Sequence, residues 1–393
     1  MTNRGGNILF IIFEFSDTNF LKMPWRILTE LLPLLAKSTN YKIYVLTDTK
    51  KVNKVKTVIE GKNVKLLSVS KPILRYPYKG MFTTIRKIIE RLNIESIVVF
   101  SGWNLGLWTR IAEKLRLRKL ILFILTPVYN LKDLTIILLY YLVPLIKFGT
   151  IRDLVFLLKL LFENIMIRIS SMTVSTKISN GKTKVELVVL SENNFEFFNS
   201  LGFKTHLIVP QLKIHTIIDK EEAKATSEDS RISIAYFGPL LIARGYDIVL
   251  RLGSYGRFRV ALYSRDKISN GLRRKISNFK VSIVERFFEN FDEIVREAEK
   301  HDLIILPFRF VVTDIPLVVL ELACTGATVI TTRYSNIQPR LAPNLIEIDL
   351  RQIGNIDSIM KITRLQRKFH VKPVATINWG NATTQIIRIL RDE

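Results

Sequence analysis

Short runs of branched and aromatic residues alternate with segments of helical periodicity along almost the whole 393-residue chain, and this rhythm leaves few folds open. In the first half the runs NILFIIFEF, KIYVLTD, VKLLSV, ESIVVFSG and KLILFILTP read as strands. Between them MPWRILTELLPLLAKS, FTTIRKIIERLN and LGLWTRIAEKLRL carry apolar residues at helical spacing. Strand, helix, strand in this order predicts an α/β parallel sheet wound on both faces. The run VELVVLS and the helix ENNFEFFNSLG close the half, with Ser191 placed as the helix N-cap.

The periodicity then drops through FKTHLIVPQLKIHTIIDKEEAKATSEDSR and restarts at ISIAYFG. Strands FRVALYS, VSIVERF, HDLIILPF and TVITTR follow, with helices YDIVLRLGSYG, FDEIVREAEK and PLVVLELACTG between them. The chain is also too long for one ordinary core. The reading is two doubly wound domains in tandem: residues 1–210, a linker at 211–230, residues 231–378, and a terminal helix at 379–393 that packs back on the first domain. Such an arrangement places a ligand cleft between the carboxyl ends of the sheets.

Residues 131–169 break the alternation with two long apolar helical segments, LKDLTIILLYYLVPLIKFG and IRDLVFLLKLLFENIMIRIS, dotted with Lys147, Arg152, Lys159 and Arg168. They read either as helices buried against a sheet or as an amphipathic face lying in a membrane interface. The first segment is too short to span a bilayer and contains Pro144. The N-terminal apolar run ends in Glu14 with no small-residue cleavage pattern, so it is expected to be a strand, not a signal peptide.

A net charge of +24 favours anionic partners. Nucleic acid is not expected, because the basic residues are dispersed and no helix-turn-helix, zinc-finger or ribonucleoprotein pattern occurs. One cysteine, Cys324, and four scattered histidines exclude a disulfide framework and any cysteine-based zinc site, so no metal centre is expected and the natural compartment is a reducing interior. The localisation read from these features is cytoplasmic, with peripheral contact at an anionic inner membrane face.

Two stretches carry the chemistry. In TDIPLVVLELACTG, Glu321 lies in the second turn of an otherwise apolar helix, where a carboxylate needs a partner, either a protein cation or a ligand hydroxyl. The turn ahead of it, with Thr313, Asp314, Ile315, Pro316 and Leu317, offers free backbone N–H groups for a phosphate or a sugar hydroxyl, unless Asp314 caps the helix itself. In AYFGPLLIARGYDIVL, Gly238 follows a strand and Arg244 and Gly245 precede a helix. The glycine permits close approach of a ligand, and the guanidinium suits a diphosphate.

Together the two stretches resemble the donor half of family-4-type glycosyltransferases of GT-B architecture. That family shows G-R-L-x-x-x-K-G after the first strand of its second domain, and an E-G-F-G-L-P turn leading to E-A-M-A-x-G. VVLSENNFEFFNSLGF and INWGNATTQIIRIL are similar to its stretches at the end of the first domain and at the C-terminus. The resemblance implies two Rossmann-like domains, a nucleotide-diphosphate sugar as donor, no cofactor, and transfer of the sugar to an acceptor with retention and without a metal.

Residue by residue, the glutamate that holds the nucleotide ribose falls on Glu321, and the diphosphate-binding lysine falls on Arg244. The backbone of Gly238, Pro239 and Leu240 and the turn at Thr313, Asp314, Ile315, Pro316 and Leu317 line the donor, with Arg286 and Phe287 at the nucleobase end. The family's first glutamate falls on Thr313 and its phosphate-clamping arginine on Pro239. These departures open an alternative, a non-catalytic GT-B chain serving as a binding or partner subunit. An epimerase of similar two-domain form is a further reading. The acceptor suggested by the basic, apolar first half is a glycan or a lipid-linked sugar.

Overall fold

The computed structural model describes residues 6–12, 25–47, 63–69, 79–101, 104–178, 183–208, 211–213, 231–264, 267–286, 288, 291–311, 314–325, 327–337, 344–353, 355–366 and 376–391. The chain forms two compact units. The first comprises Met1–Val128, Leu161–Pro210 and Trp379–Glu393; the second comprises Tyr129–Leu160 and Gln211–Asn378.

In the first unit the strands are β1 (Asn7–Ile12), β2 (Lys42–Thr47), β3 (Val64–Ser68), β4 (Ile94–Ser101), β5 (Lys119–Ile124), β6 (Lys184–Val189) and β7 (Lys204–Leu207). They form one sheet in the order β3-β2-β1-β4-β5-β6-β7, and every pairing is parallel. The connecting helices are α1 (Trp25–Ser38), α2 (Lys79–Leu92) and α3 (Leu105–Lys114). The central strands β1 and β5 are buried along almost their whole length on both faces, as a sheet covered on both sides requires, whereas the edge strand β7 is polar and only half-buried.

Two long helices follow, α4 (Leu131–Phe148) and α5 (Ile151–Ile178), and then α6 (Glu192–Ser200). Ser191 caps α6, its Oγ accepting from Asn194 N at 3.3 Å. The side chain of Asn194 is fully buried and braces the loop after β5: its Oδ1 accepts from Val128 N at 2.9 Å and its Nδ2 donates to Thr126 O at 3.0 Å.

The second unit holds β8 (Gln211–Lys213), β9 (Ile232–Phe237), α7 (Tyr246–Gly253), β10 (Phe258–Ser264), α8 (Asn270–Ile276), β11 (Val281–Glu285), α9 (Phe291–Ala298), β12 (Leu303–Leu306), α10 (Leu317–Cys324), β13 (Thr328–Thr332), β14 (Leu345–Ile348), α11 (Ile356–Gln366) and β15 (Thr376–Asn378). Its main sheet runs β11-β10-β9-β12-β13-β14, again wholly parallel. The strand order reverses between β9 and β12, and the carboxyl ends of those two neighbours are where such a sheet binds ligands. Strand β8 pairs antiparallel with β15. It lies inside the stretch read as a linker, whose residues 214–230 are outside the described residues. The last helix, α12 (Gly380–Arg391), belongs to the first unit and packs on α1.

Residues 129–160, which the alternation of the sequence places with the first domain, belong to the second unit. Several long-range contacts tie them to that unit, and one of them centres on a buried carboxylate. Asp153, fully buried, caps its own helix by accepting from the N–H and hydroxyl of Thr150 at 2.9 and 2.7 Å, and its other oxygen accepts from Ile242 N at 2.7 Å. Tyr141 closes the α4–α5 hairpin by donating to Asp153 O at 2.8 Å. Helix α5 thus begins in the second unit and ends in the first.

Candidate functional site

The turn after β9 is built around two glycines with positive φ, Gly238 at 145° and Gly245 at 72°. Tyr236 donates to Pro239 O at 2.7 Å, and Ile242, Ala243 and Arg244 form a single 3-10 turn that Gly245 ends in the left-handed conformation. A side chain at Gly238 would lie 3.7 Å from Nη1 of Arg244, so the guanidinium covers that glycine. It also sits over the Phe308 ring, 5.2 Å from its centroid. Gly238, Arg244 and Phe308 therefore meet at the carboxyl ends of β9 and β12.

Gly245 is fixed by packing as well as by φ. A Cβ there would fall 2.1 Å from the carbonyl oxygen of Pro307, which is backbone and cannot swing away. Gly245→Ala is therefore expected to cost roughly 2–4 kcal/mol in urea unfolding. At Gly238 the nearest atoms lie at 3.6 Å, ordinary contact, and an alanine there meets only the φ strain, roughly 1–3 kcal/mol. Equal losses at the two positions would show that the close approach to Pro307 is relieved elsewhere.

Beneath the turn lies a buried ion pair. Arg309, 3% exposed, grips the fully buried Asp247 of α7 with both terminal nitrogens, at 2.6 and 2.8 Å. Its remaining donors reach Ile242 O at 2.8 Å and Tyr140 O of α4 at 2.8 Å. Backbone N–H groups of Arg309 and Phe310 both donate to Ala243 O, at 2.8 and 3.3 Å. One guanidinium thus ties the 3-10 turn, α7, α4 and the segment after β12 together. Burial, and then the neighbouring acid, raises the hydroxyls of Tyr246 (beside Asp247) and Tyr141 (beside Asp153) above the usual tyrosine range, so both remain donors.

The segment from β12 to α10 is held on both sides of its turn. Tyr129 OH accepts from Val311 N at 2.9 Å and donates to Tyr334 O at 3.0 Å; burial raises its pKa and keeps it protonated. Asn336 Nδ2 donates to Asp314 O at 3.1 Å. Asp314, Ile315, Pro316 and Leu317 are all buried. The N-cap position of α10 is Pro316, with extended backbone and no side-chain capping bond, and Asp314 lies two residues ahead of it. Glu321 is 5% exposed in the second turn of α10.

Arg286 stands apart, at the end of β11. It is exposed and pairs with Glu297 at 3.0 Å and Glu293 at 3.5 Å, while its guanidinium sits 5.4 Å from the Phe288 centroid. Phe288 in turn meets Phe237 and Tyr263, which stack at 4.7 Å beside the end of β9. Burial and the nearby Glu297 push the Tyr263 hydroxyl up to about 12.

The structure therefore brings Gly238, Pro239, Leu240 and Arg244 together on one turn and sets Asp314, Ile315, Pro316, Leu317 and Glu321 on the segment after the neighbouring strand. Thr313, Phe287 and Gly326 lie outside the described residues, as do Glu14, Pro24 and the loop between them. The sequence reading missed Phe308, Arg309, Asp247 and Phe288. Arg309 and Asp153 carried the signal used for Glu321, a charge embedded among apolar neighbours. Among the described residues no cluster of three or more His, Cys, Asp or Glu could hold a metal ion, and no helix is long and apolar enough to cross a membrane.

Two wholly parallel, doubly wound sheets of seven and six strands with flanking helices are the architecture of the GT-B fold, and this chain has it. No family model matches the chain, and no curated protein matches it in sequence. Solved structures match it in fold. A lipopolysaccharide outer core galactosyltransferase, WaaB, in its apo form shares 11% identity over 92% of this chain and 90% of that one, with a TM-score of 0.59. Anabaena HepE in complex with UDP and glucose shares 11% over 99% and 100%, with a TM-score of 0.56. The UDP-GlcNAc 2-epimerase from Neisseria meningitidis bound to UDP-GlcNAc shares 13% over 98% and 100%, with a TM-score of 0.53.

Proposed function

We propose that the protein is a glycosyltransferase that moves a sugar from a nucleotide-diphosphate sugar to a glycan or lipid-linked acceptor at a membrane surface. The observation that carries this reading is the turn after β9, where Arg244 lies over Gly238 beside the segment that leads to the buried Glu321. The similar structures with UDP or a UDP-sugar bound support a nucleotide-sugar donor.

The sugar–phosphate bond of such a donor is already activated, so the step needs a stabilised leaving group more than an enzyme nucleophile. Arg244 supplies a fixed cation to the departing diphosphate, and the backbone N–H groups of the first turn of α10, from Leu317 onward, supply aligned dipoles. Glu321 accepts from the ribose hydroxyls. Arg286, at the end of β11, would face the nucleobase, with the neighbouring Phe288 ring in the role first read for Phe287. No step in this scheme passes through a metal. Retention of configuration follows if the departing phosphate takes the acceptor proton on the face it leaves, as the resemblance implies.

Calorimetry and thermal shift against UDP, GDP, ADP and their sugar conjugates test the donor site. One nucleotide is expected to stabilise the wild type. Glu321→Ala and Arg244→Ala are each expected to weaken it about 10- to 100-fold, the worth of a hydrogen bond to a charged group. Stabilisation by none of them would favour the second reading, a non-catalytic partner subunit, which Pro239 and Thr313 in place of the family's arginine and glutamate motivate. Turnover of the donor alone, without an acceptor, would identify an epimerase.

A further inference from the structure

Helix α5 has two apolar seams. One is buried: Asp153, Leu157, Leu160, Asn164, Ile167, Ser171 and Val174 follow each other at alternating spacings of four and three and are all buried. The other, on the opposite side, repeats the same alternation with Ile151, Val155, Leu158, Phe162, Ile165 and Ile169, ending at Met172, and all of these are exposed. Helix α4 adds Leu139, Leu142, Val143 and Ile146. The most exposed of these side chains, Ile146 at 85% and Ile151 at 84%, flank the bend of the hairpin. Neither helix is therefore wholly buried, and so broad an exposed apolar face marks an interaction surface.

Charge decides what covers it. Lys132, Lys147, Arg152, Lys159 and Arg168 accompany the apolar residues on α4 and α5. The acids of the two helices are Asp133, Asp153 and Glu163. Asp133 pairs with Arg333 at 2.7 Å, and Asp153 is buried. A coiled-coil seam between two copies would need acids in the positions flanking the exposed seam, but these hold Arg152, Lys159 and Arg168 with no acid among them. Pairing two chains of net charge +24 adds further repulsion.

We propose that the exposed face of α4 and α5 lies in the headgroup region of an anionic lipid bilayer, with the hairpin bend at Ile146 and Ile151 inserted deepest. An apolar stripe bordered by lysine and arginine is the pattern of a helix that lies in the interface plane. The inference rests on the glycosyltransferase reading for its purpose, which is to bring the donor unit to a lipid-linked or membrane-borne acceptor. It deepens that reading by naming the surface that makes the contact.

The test is co-sedimentation of the full chain with vesicles of phosphatidylcholine, alone and mixed with phosphatidylglycerol. The wild type is expected to pellet with the mixed vesicles, to stay in solution with neutral ones, and to be released by salt. The triple variant Lys147→Glu/Arg152→Glu/Lys159→Glu is expected to partition about a hundredfold more weakly, because each basic residue near an anionic surface contributes roughly fivefold. Ile146→Asp/Ile151→Asp, which leaves every basic residue in place, is expected to lose binding as well. Circular dichroism and the nucleotide thermal shift are measured on the same samples, so that misfolding and failure of the donor site are read separately. Wild-type protein that ignores anionic vesicles overturns the proposal, as does binding unchanged in either variant. So does a dimer in sedimentation velocity that Ile146→Asp/Ile151→Asp dissolves, since the face would then belong to a second copy.

Discussion

Arg309→Met is expected to lower the unfolding free energy of the second unit by about 3–5 kcal/mol, the loss that follows when one partner of a buried ion pair is removed and the other remains. Asp247 is fully buried and both of its oxygens are taken by Arg309, so the truncation leaves a carboxylate in the interior without its cation. The carbonyls of Tyr140 and Ile242 lose their donor in the same step. Arg309→Met/Asp247→Leu removes both charges and is expected to recover much of the loss. Urea unfolding followed by circular dichroism measures all three proteins. If the double variant is no more stable than Arg309→Met, the damage comes from the lost carbonyl contacts and not from the stranded carboxylate.

The same substitution reads out on the site. The Ile242–Ala243–Arg244 turn is held by Arg309 from below and by Asp153 from the side, and Arg244 hangs from that turn. Nucleotide stabilisation is therefore expected to fall in Arg309→Met although Arg309 touches no ligand in the proposed scheme. Arg309→Lys keeps the charge but not the planar fork, and is expected to fall between the two.

How far the fold could be read from the sequence depends on the range of the interactions involved. Both parallel sheets were legible because strands buried on both faces are written as continuous apolar runs, of which KLILFI and ISIAYF are the clearest. The Gly238–Arg244 turn was legible because its glycines sit at the ends of local elements. The membership of residues 129–160 was not legible, since it is decided by contacts such as Asp153 to Ile242, which lie 89 residues apart. Periodicity describes a helix but not its neighbour. The buried-charge argument applied to Glu321 reaches further, because a charge among apolar residues announces a distant partner. Applied to Asp153 and Arg309, it would have predicted that α5 and the segment after β12 each hold a long-range anchor.

The first unit carries its own buried charge, and there the largest effect is expected to depend on pH. Glu186 on β6 is 2% exposed and faces Lys119 at 2.9 Å, Lys204 at 3.1 Å and His206 at 2.7 Å. Lys119, 1% exposed, also donates to Ile389 O, which ties β5 to the terminal helix α12. Burial by itself would raise the Glu186 carboxyl, but the hydrogen bonds from His206, Lys119 and Lys204 outweigh it and hold the group at about 2. Its folded pKa lies below the ordinary value of 4.5, so the stabilisation is fully present above pH 4.5 and is lost as pH falls through about 2. Glu186→Gln removes that stabilisation at every pH and leaves the Lys119 ammonium buried without its counter-ion, so at neutral pH it is expected to cost about 3–5 kcal/mol. The gap to wild type should narrow steadily below pH 4.5, because protonated glutamate and glutamine are nearly isosteric. Urea midpoints of both proteins across that acid range decide the matter. A gap that stays constant down to pH 2 would mean that the loss comes from altered packing around β6 and not from the charge on Glu186.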